Sequence, residues 1–257
     1  MPTWKLKIEY DGTRYCGWQQ QPNGRSIQGE LLKAANFIFN DRVEIGGAGR
    51  TDAGVHAIEQ VAHLRSKKIL SPQHIQINFD KLLPKDINVF SVESASNKFD
   101  ARHDALSRHY IYQISTRRSA FGKPYVWWVK DKLDIELMKQ ACKLLPGMHD
   151  FSSFCDLEEN KSTLVKVETA NIYIYNSLVL FHISASHFLW KMVRRIVGTL
   201  VELGRKKISI NQFYNLLTEY SNLPASWTAP PSGLFLERIV YSNDNKDDII
   251  NPTIFIS

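Results

Sequence analysis

The sequence predicts an α+β chain made of two ferredoxin-like halves, each an antiparallel sheet flanked by helices, with a basic cleft between them. Three observations predict it. From Trp4 to Val92 the apolar periodicity runs strand, helix, two strands, helix, strand, the ferredoxin-like order. From Arg108 to Tyr241 a similar series follows, and the passage from Ser96 to Leu106 between them carries neither period, which sets the halves at 1–100 and 101–257. At 257 residues the prior of about 150 residues per domain allows one or two domains, with a core large enough that size demands neither a metal nor a disulfide. Clefts between domains are where ligand sites concentrate.

Trp4 to Tyr10 alternates and stops at Asp11-Gly12, a strand followed by a turn. Arg14 to Arg25, with Pro22, Asn23 and Gly24, reads as an irregular loop. Its Arg14, Trp18, Gln19, Gln20, Gln21 and Arg25 are suited to stacking on bases or bonding their edges and phosphates, and equally to wrapping a surface. Ser26 is placed to cap a helix with Ile27, Leu31, Ala34, Ala35 and Ile38 on one face. Arg42 to Ile45 predicts a strand, Gln60 to Arg65 another. Ser71-Pro72 opens a second helix with Ile75 and Phe79 inward; Leu83-Pro84 ends it, and Ile87 to Val92 is the next strand. In the second series Arg108 to Thr116 is a strand and Asp134 to Leu145 a helix. Thr163 to Tyr175 and Leu178 to Ser186 form a hairpin about Asn176-Ser177, helices cover His187 to Leu203 and Ile210 to Thr218, and Leu234 to Tyr241 is a late strand. Tyr112, Tyr173 and Tyr175 read as cross-strand packing residues.

The net charge of +6 and pI of about 9.1 favour an anionic partner. The stretch Asn243 to Asp248 is acidic, so the remainder is more basic than the total. Basic groups at Arg65–Lys68, Arg102–His109, Arg117–Lys123, Lys191–Arg195 and Arg205–Lys207 are spread over predicted elements, as a surface that tracks a phosphate backbone requires. Cys16, Cys142 and Cys155 have no paired spacing, which argues against a disulfide framework or zinc knuckle and for a cytoplasmic protein with buried or semi-buried thiols. The N-terminal segment goes straight into alternation without the apolar run of a signal peptide, and no apolar stretch is long enough for a bilayer.

Two stretches carry chemistry. Gly46 to Ala57 holds four glycines around Arg50 and Asp52, a loop shaped for close approach by another group. On such a loop Asp52 can form an ion pair, anchor loop amides, or act as a nucleophile whose charge a neighbouring cation holds. In the helix from His187, Phe188, Met192, Ile196 and Leu200 form one buried stripe and Leu189, Val193, Val197 and Val201 its neighbour. Arg194 and Gly198 lie on another line with Trp190. A glycine one turn after an arginine admits another backbone beside the guanidinium, although spacing alone makes Arg194 and Arg195 the polar face. His56 follows Asp52 by four, but Gly54 between them weakens a helical pairing, and the histidines show no metal-ligand spacing.

Taken as a set, these stretches resemble the tRNA pseudouridine synthase A family. The resemblance is carried by Asp11-Gly12-Thr13-Arg14-Tyr15-Cys16-Gly17-Trp18-Gln19-Gln20-Gln21-Pro22, by Gly49-Arg50-Thr51-Asp52-Ala53-Gly54-Val55-His56-Ala57, by Phe99-Asp100-Ala101-Arg102 with Arg108-His109-Tyr110-Ile111-Tyr112, and by His149 to Phe154. It continues in Phe188 to Leu200 and in Thr228-Ala229-Pro230 with Gly233 to Leu236, in family order over residues 4–241. It implies the pseudouridine synthase fold and isomerisation of uridine at positions 38, 39 and 40 of the tRNA anticodon stem-loop, without cofactor or metal, by a homodimer. It further implies Asp52 as nucleophile, Arg194 as its ion-pair partner and Tyr110 as the residue packing on the base and moving protons at the 2' or C5 position. Arg50 then holds the flipped nucleotide, Leu234 closes the apolar side, and Arg14, Gln19 and His56 are further substrate contacts. Ser184 to His187 and Leu223 to Trp227 depart from the family pattern, which bears on the pocket rim and on the uridines accepted. Two other classes fit parts of the pattern: a non-catalytic tRNA-binding protein, from the charge, and an Asp/His phosphodiesterase, from Asp52 with His56.

Overall fold

A computed structural model describes residues 1–159, 161–242, 244 and 250–255, so the acidic stretch Asn243 to Asp248 lies outside the described residues except for Asp244. In chain order the elements are β1 (Thr3–Tyr10), α1 (Ile27–Phe39), β2 (Glu44–Gly47), β3 (His56–Arg65), α2 (Pro72–Leu82), β4 (Ile87–Ala95), β5 (Ser107–Ser115), β6 (Trp127–Trp128), α3 (Ile135–Cys142), β7 (Gly147–Asp150) and β8 (Leu164–Tyr175). They continue with β9 (Leu178–Ala185), α4 (Met192–Gly204), α5 (Ile210–Asn215), α6 (Leu223–Ser226) and β10 (Leu234–Val240). The architecture is α+β, in two compact units: residues 1–106 with 235–246, and residues 107–234 with 247–257. No helix among the described residues is long and apolar enough to cross a membrane.

In the first unit β1 lies between β4 and β3, antiparallel to both, and β2 pairs with the far end of β3. Strand order β4-β1-β3-β2 with α1 and α2 as crossovers is the ferredoxin-like arrangement. The local sequence explains the elements. Ser26 accepts a hydrogen bond from the Gly29 amide at the start of α1, and Ser71 caps α2 through the His74 amide, each worth about 1 kcal/mol. Leu6 and Ile8 of β1, Ile27, Leu31 and Ala35 of α1 and Ile75 and Phe79 of α2 are fully buried. Phe39, not Ile38, completes the inward face of α1. β3 begins at His56, four residues earlier than its alternation suggests, because β10 pairs with it in parallel there, Phe235 opposite His56 and Leu236 opposite Ala57.

In the second unit β5, β9, β8 and β7 form an antiparallel ladder, with β6 parallel to the end of β5. The order β5-β9-β8, with α3 preceding β8 and α4 following β9, repeats the connectivity of the first unit. The β8–β9 hairpin turns where expected, with Asn176 in the left-handed region at φ 53°. α4 corrects the expected helix: it starts at Met192 rather than His187, because Lys191 takes φ 64° and breaks the turn, so Phe188, Leu189 and Trp190 lie outside the helical stripe. α5 likewise ends at Asn215 rather than Thr218.

Candidate active site

The first unit presents Asp52 on the connection between β2 and β3. Its base continues the hairpin ladder, with Ala48 N–H donating to Val61 O at 2.8 Å and the Gln60 side-chain amide donating to Gly49 O at 2.9 Å. Its centre is gripped by the segment after β1. Trp18 N–H donates to Thr51 O at 3.0 Å, Gly54 N–H donates to Tyr15 O at 3.3 Å, and the Tyr10 and Thr51 hydroxyls meet at 2.8 Å. Burial pushes the Tyr10 phenol up to about 12, outweighing its hydrogen bonds to Thr51 and Gln60, so it stays neutral. Gly17 makes this grip possible: at φ 107° it needs no side chain, and a Cβ there would stand 2.4 Å from Thr51 O.

Asp52 is half-buried and its carbonyl accepts from the Val55 amide at 3.1 Å, closing a turn in which Gly54 takes φ 77°. Arg50, two residues before, is exposed. His56 is 1% exposed, its ring stacked on Phe235 with centroids 4.7 Å apart. Its Nδ1 is 3.1 Å from both Gly12 N and Asp11 Oδ1. The Gly12 amide is an obligatory donor, so we take Nδ1 as its acceptor. His56 therefore bonds the loop framework from a buried position. Gln19 is half-buried and donates to Gln28 Oε1 at 2.7 Å, while Arg14 is exposed at the end of the Gly12–Arg14 turn.

The second unit carries Tyr110, Arg194 and Leu234. Tyr110 sits in the middle of β5 opposite Ile183, buried, with its ring edge-to-face with Phe188 at 4.9 Å. Arg194 is in the first turn of α4. Its Nε donates to Ala229 O at 2.8 Å while Ala229 N–H donates to Arg194 O at 3.0 Å, a two-way tie that fixes the plane of the guanidinium. Gly198 is the reason the Trp227–Pro230 strand of chain can run so close, since a Cβ there would be 1.6 Å from Trp227 O. Glycine one turn after the arginine thus does admit a second backbone, and the polar-face reading of Arg194 and Arg195 is corrected. Arg195 is buried, paired with Asp156 and donating to Cys155 O. Asp156 also holds Lys191 at 2.6 Å, so one carboxylate grips the residues on both sides of Arg194. These two cations hold the Asp156 carboxyl below its ordinary range against the opposing effect of burial.

Tyr112 was not marked by the sequence as more than packing. Burial pushes its phenol well above 10, against the pull of the Arg194 charge, and the neutral hydroxyl donates to Pro230 O at 2.7 Å. It pins the same segment that Arg194 holds, four residues ahead of the buried Leu234. The signal was the Tyr-x-Tyr spacing, which on a strand turns both rings to one face. Cys142 and Cys155 are poor nucleophiles: burial raises the first to about 12 and the second to about 11.

A family model described as tRNA pseudouridine synthase matches residues 7–104 and 141–242. The matched stretches include Arg14, Gln19, Arg50, Asp52, His56, Arg194 and Leu234; Tyr110 falls between them. The tRNA pseudouridine synthase A of Dictyoglomus turgidum is 39% identical over 245 residues, covering 94% of this chain and all of that protein. That of Nitrobacter hamburgensis is 41% identical over 245 residues, with coverage of 94% and 100%, and that of Aquifex aeolicus 36% identical over 242, with coverage of 93% and 100%.

Proposed function

The chain belongs to the tRNA pseudouridine synthase A family, and from that membership we propose that Asp52 is the nucleophile with which it isomerises uridines 38, 39 and 40 of the anticodon stem-loop. Its activity is that of an RNA isomerase, and its substrate is tRNA. The reaction breaks the bond from ribose C1' to N1 of uracil, turns the base, and joins C1' to C5; C5 loses a proton and N1 gains one. No electron leaves or enters, so the chemistry asks for an anion at the sugar and for walls that retain the base.

The roles follow the residues. Asp52 supplies the anion, and Arg194 is its cationic counterpart. Tyr110 packs on the base and moves the proton. Leu234 provides an apolar wall, and the exposed Arg50 holds the nucleotide out of its stem, where unstacking costs a few kcal/mol. Arg14 and Gln19 extend the RNA contact. The observation that supports this reading best is the half-buried Asp52 carboxylate on a loop whose backbone is tied at Thr51 and Gly54 to the segment after β1. We further infer a cytoplasmic homodimer, whose twofold symmetry lets one long anionic substrate cross both subunits.

The test is to incubate purified protein with unmodified tRNA, without added cofactor or metal. Uridine should become pseudouridine with chain length unchanged, at positions read by site mapping. Retained uridine from a folded sample would leave tRNA binding alone, and shortened RNA would point to a phosphodiesterase. Sedimentation as a monomer at working concentration would refute the dimer.

A further inference from the structure

Between β5 and β6 the second unit extends a loop whose base is rigid and whose tip is bare. At the base, Ile114 and Ser115 pair in parallel with Trp127 and Trp128. Val129 N–H donates to Ser115 O at 3.0 Å, the Gln113 side-chain amide donates to Tyr125 O at 3.0 Å, and Val126 is buried in the cluster of Ile111, Leu178, Leu180 and Ile250. The tip is a turn in which Gly122 N–H donates to Ser119 Oγ at 3.0 Å, with Tyr125 N–H donating to Gly122 O at 2.9 Å. Ordered in this way, the tip sets Phe121 out at 94% exposure.

A phenylalanine exposed to that degree on an ordered turn has no part in the core. Its neighbours are cationic. From Thr116 to Lys132 the chain has five Lys or Arg and one carboxylate, Asp131, which is paired with Arg205 at 2.7 Å. Among the described residues no carboxylate pairs with Arg117, Arg118 or Lys123. Arg118 lies over the ring of Trp128, 5.9 Å from its centroid, and Trp128 is itself 42% exposed. Exposed aromatic faces among unpaired cations on a fixed backbone form a surface for single-stranded nucleic acid, where bases stack on rings and phosphates meet the charges. The loop lies in the stretch 105–140 that the family model leaves unmatched.

We propose that the Thr116–Trp128 loop is an RNA contact of the second unit, taking unpaired bases of the substrate tRNA on Phe121 and Trp128 and its phosphates on Arg117, Arg118 and Lys123. This rests on the reading of the chain as a tRNA enzyme. It makes the loop a determinant of substrate capture, acting in KM rather than in the chemical step.

The experiment uses the full chain as wild type, Phe121→Ala, and the triple variant Arg117→Gln/Arg118→Gln/Lys123→Gln, all exposed positions, with thermal melts verifying the fold. Unmodified tRNA binding is titrated from low to high salt, turnover is measured on the same tRNA, and binding to vesicles of anionic phosphatidylglycerol is a separate arm. Phe121→Ala should weaken tRNA binding roughly 5- to 150-fold and raise KM with kcat unchanged. The triple variant should lower the slope of log affinity against log salt by about 2. Unchanged tRNA affinity and KM in Phe121→Ala, with wild type converting uridine normally, overturns the loop and leaves the enzyme reading intact. Loss of vesicle binding without loss of tRNA binding overturns it in favour of a membrane contact. A folded wild type that neither binds nor converts tRNA removes the enzyme reading, and the loop proposal with it.

Discussion

Thr51 is fixed by the Tyr10 hydroxyl, the Trp18 amide and its own burial, and Asp52 is the next residue along. A carboxylate on backbone this firmly tied needs little reorganisation to act, which is how preorganised groups lower a barrier. Asp52→Asn keeps the volume and removes the anion. It should hold the melting temperature and tRNA affinity near wild type while isomerisation falls by on the order of 10⁴ or more, measured as pseudouridine formed in single-turnover assays. Turnover near wild type would remove Asp52 from the chemistry. The glycines around it marked the loop in the sequence but not their own tasks. Gly46 and Gly47 clear space for the rings of His63 and Trp18, where a Cβ would stand 2.5 Å away, and the close backbone approach is made by Gly17. Those partners lie tens of residues off in sequence or on another strand, so no local pattern reveals them. The same holds for Arg195, whose spacing says solvent and whose burial depends on Asp156, 39 residues earlier.

Most elements were legible because cap, periodicity and breaker agreed: Ser26 and Ser71 before their helices, Asn176-Ser177 between β8 and β9, alternation along β1. α4 is the exception. Its apolar spacing extends back to Phe188, yet the helix begins only at Met192, where the left-handed Lys191 and its ion pair to Asp156 set the first turn. That start is a tertiary effect, and it governs where Arg194 points. Asp156→Asn should leave Arg195 buried beside a neutral partner. Since Asp156 is partly exposed, the loss is discounted for solvent to about 1–3 kcal/mol, read by chemical denaturation. Isomerisation should fall more than tRNA affinity does, because the guanidinium of Arg194 loses its alignment. Equal falls in both would indicate general loosening of the unit instead. The short β6, β7 and α6 were not legible at all, being too short for a period to register and held by pairing or packing.

Across the whole molecule, net charge, repeated connectivity and α+β class could be read from the chain, whereas the return of β10 to the first unit could not. A strand pattern at Leu234 names no partner. Titration is a property of this scale too. Burial and the Arg65 charge lower the His63 pKa, prevailing over Glu44 at 3.5 Å and Asp100 at 3.9 Å, and the neutral ring accepts from the Ala101 amide at 3.1 Å. A base with a lowered folded pKa stabilises fully above its unfolded value of about 6.5 and loses that contribution as pH falls toward the folded one. The melting temperature should therefore decline from pH 7 to pH 5, and His63→Asn should flatten that decline; an unaltered slope would assign it to other groups. The pairing of β10 with β3 also has a consequence in time. Residues 107–234 leave the ribosome after the rest of the first unit and before Phe235, a delay on the order of ten seconds at ordinary elongation rates. For that interval the nascent first unit holds the His56 end of β3 without the strand that covers it, an open ladder edge that invites intermolecular pairing. The unit closes only when nearly the entire message has been read, so its last strand reports that the second unit has been made.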